Sequence, residues 1–283
     1  MAIRRDPAAQ RWLFGRELAR LRERTGRTLA DIANSAGLTR AKVGHWETGK
    51  HAPSSTDLQR VLDVLKVTEA ERGLLESLLL NAQGQPWWAE WSAVVTDWLA
   101  LYLGLEGMAQ SVFAYEPVLV PGMLQTAAYA NELTSQALLV RSDDVEPFVE
   151  LRMARAARLT QEPLLDYHVV IEEAAFHRRA QRSSTMIEQC DHLLELSQQT
   201  NIHLQVLRSD RRLHPATSMG QYAILDFAGS FGVAYRELYD EAVFIHDETK
   251  IRSYKLAASH TAAEALTAEE TREFIARLRK DLK

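Results

Sequence analysis

The sequence has few of the features that mark secreted, disulfide-bonded or membrane proteins. It contains a single cysteine, Cys190, which excludes an intramolecular disulfide and most structural zinc sites. Residues 1–12 lack the apolar segment of a signal peptide, and no hydrophobic run approaches the length that spans a membrane. We therefore expect a cytoplasmic protein with no membrane association.

The sequence also lacks the common signatures of catalytic and cofactor sites. It has no glycine-rich phosphate loop, no G-x-G-x-x-G, no H-E-x-x-H, no C-x-x-C and no G-x-S-x-G. The histidines after residue 160 form no pair at i,i+4 spacing, so a metal site would require the fold to gather them. The adjacent carboxylates at 172–173 and 247–248 are poorly placed to act together as a general acid and base, because neighbouring side chains on a strand point to opposite faces. We predict no enzyme activity, no cofactor and no metal.

The composition is that of an ordinary globular protein, but its charge is unevenly distributed. The 283 residues are 46% hydrophobic and 25% charged, and the length suggests two domains. The net charge of −5 is the sum of a basic and an acidic part. Residues 1–66 contain 13 Lys and Arg and 7 Asp and Glu, a net charge of +6. The remaining residues contain 20 Lys and Arg and 31 Asp and Glu, a net charge of −11. The basic part suits phosphate binding, while the acidic part suits a soluble surface or a basic partner.

Residues 28–49 read as two short helices joined by a tight turn. Thr28 with Asp31 is a capping-box pattern, and Gly37 can take the left-handed conformation that stops the first helix. Thr39 is positioned to cap a second helix, in which Val43 and Trp46 face inward. Its outward side chains are long and polar: Arg40, Lys42 and His45. This pattern predicts a helix-turn-helix whose second helix reads the major groove, and the alternative is a helical hairpin with a solvated basic face.

These residues resemble the XRE, or lambda-repressor-like, family, which carries A-x-x-x-G-L-[ST] in the turn and W-E-x-G at the end of the reading helix. The resemblance implies a five-helix domain that binds double-stranded DNA. It also implies a structural ion pair between Arg22 of the first helix and Glu47. We assign base contacts to Arg40 and His45, and the remaining DNA contacts to Thr28, Thr39, Lys42 and Lys50, with Thr39 and Lys50 on phosphate.

The segments around the helix-turn-helix complete the predicted domain. Arg4, Arg5 and Arg11 belong to either a disordered tail or an arm that touches DNA phosphate, ahead of a helix over residues 12–25. Serines 54 and 55 can cap a fourth helix, and Thr68 with Glu71 can open a fifth. We place the DNA-binding domain at residues 1–80, a linker at 81–86, and a second domain at 87–283.

The second domain opens on four tryptophans and continues with mixed secondary structure. Trp87, Trp88, Trp91 and Trp98 indicate packing between domains, and the alternative is a ligand cage or stacking platform. Strands are predicted at 112–115, 166–174, 202–207, 222–227 and 233–239. Helices are predicted at 144–160 and 186–199 and after Thr267. The fold class is therefore α+β with one mainly antiparallel sheet.

Arginines 152, 155 and 158 recur every third residue on the predicted helix over residues 144–160. We interpret them as a solvated or salt-bridged face, with an anion site as the alternative.

A larger resemblance covers nearly the whole chain. The motifs WWAEW, YxGLE, YEPxLVPGxLQT, QxxHLLEL and LQVL are similar to those of actinobacterial XRE regulators of the WhiJ-like, antitoxin-like group. The resemblance implies a transcriptional regulator, a homodimer, whose second domain binds a small protein encoded nearby. Alternatives for that domain are a small-molecule effector sensor, an enzyme, and dimerisation through the final helix. Two departures, Ala156 and Arg208, stand where that group often has Gln and Pro.

Overall fold

The computed structural model describes residues 4, 6–80, 84–178, 182–210, 214–229 and 232–282. The chain divides into two compact units, a helical unit of Arg4–Ala89 with Ala100–Met108 and an α+β unit of Glu90–Leu99 with Ala109–Lys283. Residues 81–83 of the predicted linker lie outside the described residues, and the boundary at 81–86 stays a prediction.

The helical unit begins with five helices, which confirms the fold predicted for the N-terminal part: α1 Pro7–Arg24, α2 Leu29–Ala36, α3 Arg40–Glu47, α4 Ser55–Leu65 and α5 Glu69–Leu80. A short polar residue starts each of the five, including Asp6 at α1. The side chains of Thr28, Thr39 and Ser54 each accept a hydrogen bond from a backbone N–H in the first turn, which satisfies a group that the helix leaves unpaired. Thr68 and Glu71 form the same type of cap at α5.

The first helix starts five residues earlier than the sequence analysis predicted. Asp6 caps it by accepting from the Ala9 N–H at 2.8 Å, and Pro7 occupies the first helical position, where its missing N–H costs nothing. The Arg4 guanidinium lies 4.4 Å from the centre of the Trp87 ring, and Arg5 lies outside the described residues. The predicted tail is therefore wrong from Pro7 onward, because Asp-Pro is itself a helix-start signal.

A sixth helix, α6 at Asp97–Met108, contributes its residues from Ala100 onward to the helical unit. A Cβ on Gly104 would fall 2.6 Å from side-chain atoms of Asp6 and Ala9, so only glycine permits this approach to the start of α1. The indole N–H of Trp88 donates to Asp6, and that of Trp87 donates to the Leu103 carbonyl. Both tryptophans are thus packing residues of this unit.

The core of the helical unit is apolar and draws on all five N-terminal helices. Its fully buried members include Phe14, Leu18, Leu21, Ile32, Val43, Trp46, Val61, Leu62 and Leu75. Burying side chains of this size stabilises a fold by about 1.5–3 kcal/mol each relative to exposure, which is enough to hold such short helices in place.

The α+β unit contains one sheet of six strands in the order β3-β2-β1-β4-β5-β6. The strands are β1 Ser111–Glu116, β2 Asp166–Glu172, β3 Ile202–Leu207, β4 Tyr222–Asp226, β5 Gly232–Glu237 and β6 Ala242–Ile245. The β1–β2 and β2–β3 pairings are parallel and the other three are antiparallel, which confirms the predicted α+β class with a mainly antiparallel sheet.

Helices connect the parallel strands, as a parallel crossover requires. The β1–β2 connection contains α7 at Ala127–Ser135 and α8 at Val145–Ala156, and the β2–β3 connection contains α9 at Glu173–His177 and α10 at Ser183–Leu196. Two further helices, α11 at Glu248–Glu264 and α12 at Ala268–Asp281, follow the sheet.

The final helix packs within its own unit. Phe274 and Ile275 of α12 are buried, and the Phe274 ring meets Phe176 of α9 at 5.7 Å between centroids. The Thr271 hydroxyl accepts from the N–H of Val206 in β3 at 3.1 Å. The apolar face of α12 is therefore used inside the α+β unit.

Three features of this unit differ from the sequence analysis or were missed by it. The strand predicted to reach residue 174 ends at Glu172, because Glu173 begins α9. Strand β6 was not predicted, since four residues are too few to show an alternating pattern. Helix α11 was not predicted either, because its buried face, which includes Ala257, Ala258 and Thr261, consists mainly of small residues with little hydrophobic signal.

The described residues contain neither a membrane-spanning helix nor a cluster of metal ligands. None of the helices combines the length and the apolar character that a membrane-spanning helix requires. Within the same residues, histidine, cysteine and carboxylate side chains form no group of three that could hold a metal ion.

Candidate nucleic-acid interface

The second helix of the predicted helix-turn-helix, α3, separates buried anchors from exposed polar side chains. Val43 and Trp46 are 0% and 2% exposed and fix the inner side of the helix in the core. The predicted DNA contacts of α3 and its flanks are all exposed: Thr39, Arg40, Lys42, His45 and Lys50. Arginine and histidine side chains can bond base edges, and lysine and threonine can bond phosphate.

The turn before α3 is built by local hydrogen bonds. Gly37 has φ +68°, a left-handed conformation that is strained for residues with a Cβ but not for glycine. The Leu38 N–H donates to the Ala33 carbonyl at 2.8 Å. Leu38 is half-buried against the core. The Thr39 hydroxyl then accepts from the Lys42 N–H at 3.3 Å and starts α3. The angle between α2 and α3 is therefore set by the sequence of the turn itself.

Helix α1 holds the C-terminal end of α3 by direct backbone approach. A Cβ on Gly15 would overlap the carbonyl oxygen of Trp46, so glycine is required where the helices cross. The Arg16 guanidinium donates to the Glu47 carbonyl, one of the groups that the helix end leaves unpaired. Burial lowers the pKa of Arg16, whose charge the nearby Glu47 favours. Sequence reasoning missed this contact, because Arg16 follows the spacing of an exposed face.

The structure brings Arg22 and Glu47 together as a bidentate pair. Arg22 Nε lies 2.7 Å from Glu47 Oε1, and Arg22 Nη2 lies 2.9 Å from Glu47 Oε2. The side chains are 14% and 7% exposed, so the pair is mostly shielded from water. The hydrogen bond to Glu47 raises the pKa of Arg22. The pair links the end of α1 to the end of α3 and fixes their relative orientation.

Lys42 has a partner within the protein that the sequence analysis did not foresee. Its Nζ lies 2.6 Å from Oδ2 of Asp57 in α4, and it stands 5.7 Å from the centre of the Trp46 ring. The bond to Lys42 lowers the pKa of the Asp57 carboxyl, with a smaller contribution from Ser54. No periodicity connects residues 15 apart on different helices, so only the tertiary structure reveals this pair.

The end of α3 presents two histidines and a lysine. The rings of His45 and His51 meet edge to face with centroids 5.3 Å apart. The Lys50 N–H donates to the His45 carbonyl at 3.0 Å, which ties the turn after α3 to the helix. Gly49 has φ +73°, and a Cβ there would lie 2.9 Å from the Cα of Trp12, so this turn also depends on glycine.

Thr28 lies at another helix start, the N-cap of α2. Its hydroxyl donates to Asp31 at 2.7 Å, and its N–H donates to the same carboxylate at 2.9 Å. These bonds lower the pKa of Asp31. The capping role of Thr28 is thus filled within the protein, and its DNA contact stays a prediction.

In the α+β unit, several arginine, histidine and cysteine side chains that could have formed an anion, metal or catalytic site are instead buried or bonded to other protein groups. Arg158 is 4% exposed and donates to the backbone carbonyls of residues 109, 161 and 163, so it does not lie on the solvated face that its spacing predicted. His168 bonds Gln205 at 2.7 Å, and His203 lies 3.1 Å from Asp166. Cys190 is fully buried, and burial raises its pKa to about 11, which keeps the thiol protonated.

Comparison with known protein families agrees with this architecture. Residues 13–75 match the family model described as a helix-turn-helix domain, and residues 99–277 match the model described as a domain of unknown function (DUF5753). No curated protein and no solved structure gives a match. The second model covers more than half of the chain. The chain therefore belongs to the DUF5753 family and carries a helix-turn-helix domain before the region that defines that family.

Proposed function

We propose that this protein is a sequence-specific DNA-binding transcriptional regulator of the XRE type, which acts by binding and not by catalysis. The observation that carries the proposal is the construction of α3. Its inner side is locked by Val43 and Trp46, its C-terminal end is held by Arg16 and Arg22 of α1, and its polar side chains are exposed. A short, rigid helix with outward donors is what major-groove reading requires.

The proposal gives the exposed residues different roles. Arg40 is the first residue of α3, and the N-terminal residues of a recognition helix are those that reach base edges. His45, in the second turn of α3, reads a second base. Thr39 and Lys50 bind phosphate at the two ends of the helix. Lys42 contributes to phosphate binding in competition with Asp57. The +6 charge of residues 1–66 supplies the nonspecific part of the affinity.

The test is a binding measurement with selected operator DNA and with random DNA. Replacing Arg40 with Ala should weaken operator binding by about 1–3 kcal/mol and relax the preference at one base pair. Arg24→Ala is the matched control, because Arg24 pairs with Glu71 on α5 and should leave the base preference unchanged. Unchanged operator and random-DNA binding by the Arg40 variant would remove Arg40 from the reading surface.

For the α+β unit we propose binding to a small basic protein, in a homodimeric regulator of the WhiJ-like, antitoxin-like group. The acidic balance of −11 after residue 66 supports a basic partner. The β5–β6 connection adds exposed apolar side chains, Leu238 and Tyr239, directly before the acidic Asp240 and Glu241. The dimer contact is not assigned to α12, because its apolar face is buried within the unit.

Native mass spectrometry of the protein purified from its own host tests both parts of this second proposal. The expected species is a dimer of the chain with a stoichiometric small polypeptide. A dimer without that polypeptide would contradict partner binding, and a monomer of the chain would contradict dimerisation.

A further inference from the structure

Two imidazole rings lie against each other at the C-terminal end of α3, and the second of them, His51, was not among the predicted DNA contacts. The ring of His45, in α3, and the ring of His51, in the turn after it, meet edge to face with centroids 5.3 Å apart. Both side chains are exposed. Within the described residues, neither ring takes part in a hydrogen bond or an ion pair. The ring nitrogens can therefore bind a group from outside the chain.

The backbone fixes the position of His51 relative to the reading helix. The His45 carbonyl accepts from the N–H of Lys50 at 3.0 Å and from the N–H of His51 at 3.4 Å. Gly49, with φ +73°, lies so close to the backbone of α1 that a Cβ there would be 2.9 Å from the Cα of Trp12. The turn is thus tied to α3 by hydrogen bonds and to α1 by close packing, and the two rings form one preorganised pair.

The carboxylates of the surrounding helices are engaged elsewhere. In α1 to α4 the pairs are Glu17 with Arg20, Glu23 and Glu47 with Arg22, Asp31 with Thr28, Asp57 with Lys42, and Asp63 with Arg72. The charged neighbours of the rings along the chain are cations, Lys42 one turn before His45 and Lys50 directly before His51. Arg11 of α1 adds a third cation, since its backbone lies against Gly49. A proton on either ring is therefore not balanced by a carboxylate of these helices.

Duplex DNA would bring the anion that the protein does not supply here. Histidine is the side chain whose charge ordinarily changes between pH 5 and pH 8, whereas a DNA phosphate stays ionised over this range. A protonated imidazole has two N–H donors and no acceptor, and it forms a charge-assisted hydrogen bond with a phosphate oxygen. Lys50, already proposed as a phosphate contact, is the direct neighbour of His51. DNA on this surface should therefore favour the protonated form of the pair.

We propose that the His45–His51 pair takes up a proton from solvent when the protein binds its operator, with His51 as an additional phosphate contact. The proton is released again when the DNA dissociates, so the affinity for operator rises as the pH falls. By linkage, the uptake of one proton raises the affinity by at most about tenfold for each unit of decrease in pH. This inference rests on the proposed DNA binding and adds to it a contact residue and a dependence on pH.

The first test measures the affinity for selected operator and for random DNA by fluorescence anisotropy at pH 6, 7 and 8, at constant ionic strength. Operator binding by the wild type should strengthen about tenfold or more from pH 8 to pH 6, and the H45Q/H51Q variant should change by less than about threefold. His260→Gln is the matched control, because it removes an exposed histidine of α11 and should leave the pH response as in the wild type.

The outcomes of this test separate the inference from the proposed function. Operator preference that does not vary with pH in the wild type, or an equal pH response of wild type and double variant, would overturn the proton uptake and leave the proposed function standing. Absence of any preference for operator at all three pH values would overturn both.

His51→Lys and His51→Gln supply a second test that distinguishes a charge at this position from a structural role of the ring. The Lys variant carries its charge at every pH, so it should bind operator about threefold or more tighter than the wild type at pH 8. The Gln variant cannot gain a charge, and its loss of affinity should be larger at pH 6, by about threefold or more, than at pH 8. If both variants lose the same factor at pH 6 and at pH 8, His51 has only a structural role and the proposal is wrong.

Discussion

Helices α3 and α8 both carry basic side chains at three-residue spacing, and the two helices place them in different surroundings. Lys42 and His45 of α3 are exposed, and the inner side of that helix is held by apolar burial. Arg152 and Arg155 of α8 are half-buried beside the carboxyl end of β1, and Arg158, just beyond the helix, is almost fully buried. The same spacing therefore produces an exposed surface in one unit and an internal polar network in the other.

The difference lies in what compensates the charge. Water can solvate the exposed groups of α3, so those side chains contribute little to stability and can bind DNA phosphate or bases, Lys42 in exchange for its contact with Asp57. Arg152 and Arg158 have lost part of that solvation and bond carbonyl and amide oxygens of the protein instead. Substitution of one arginine should thus affect folding in the second unit and binding in the first.

The largest expected effect is on Arg158. Its guanidinium lies 2.7 Å from the Pro163 carbonyl and 3.2 Å from the carbonyls of Ala109 and Gln161. Arg158→Met should lower the free energy of unfolding by about 3 kcal/mol, because it leaves several buried acceptors without a donor. Arg40→Met is the matched control and should stay within about 0.5 kcal/mol of the wild type. Urea unfolding measures both, and equal losses would remove the contrast between the two helices.

A smaller effect is expected from a buried pair inside the helical unit itself. Arg22→Met would leave the Glu47 carboxylate, 7% exposed, without its bidentate partner. We expect a loss of about 2 kcal/mol, since the end of α3 can shift to hydrate the carboxylate. Glu23→Gln is the control, because Glu23 contacts the same arginine at 3.3 Å but is 68% exposed, and it should cost less than about 0.5 kcal/mol. If the two variants unfold at the same urea concentration, the shielding of the Arg22–Glu47 pair has no energetic consequence.

These contrasts also explain which parts of the molecule could be predicted from the sequence. Helix α3 depends on local signals, namely the Thr39 cap, the Gly37 stop and the apolar pair of Val43 and Trp46. Such signals act within one or two turns and are visible in a single sequence. The five helices and the mainly antiparallel sheet could be predicted for the same reason.

The surroundings of α8 could not be predicted, because they depend on contacts between distant residues. Glu116 and Gln221 are 105 residues apart and meet only because β1 and β4 are neighbours in the sheet. The spacing of Arg152 and Arg155 identifies a shared helix side but not whether that side meets water. Of the predicted solvated or salt-bridged face, the solvated part is therefore wrong for Arg158, which is 4% exposed, and incomplete for Arg152. The missed partner of Lys42 has the same cause.

The smallest expected effect concerns that partner. In the free protein Asp57 neutralises Lys42 at 2.6 Å, although Lys42 is 47% exposed and lies on the proposed DNA surface. Asp57→Asn should release Lys42 to phosphate and steepen the dependence of log affinity on log salt by up to about one unit. Asp63→Asn removes the same charge from the same helix but from a carboxylate that pairs with Arg72, so it corrects for the general change in charge. A salt titration of operator binding compares the two variants. Equal slopes would mean that Lys42 stays away from the DNA backbone, and the α3 surface would then bind through its other proposed contacts.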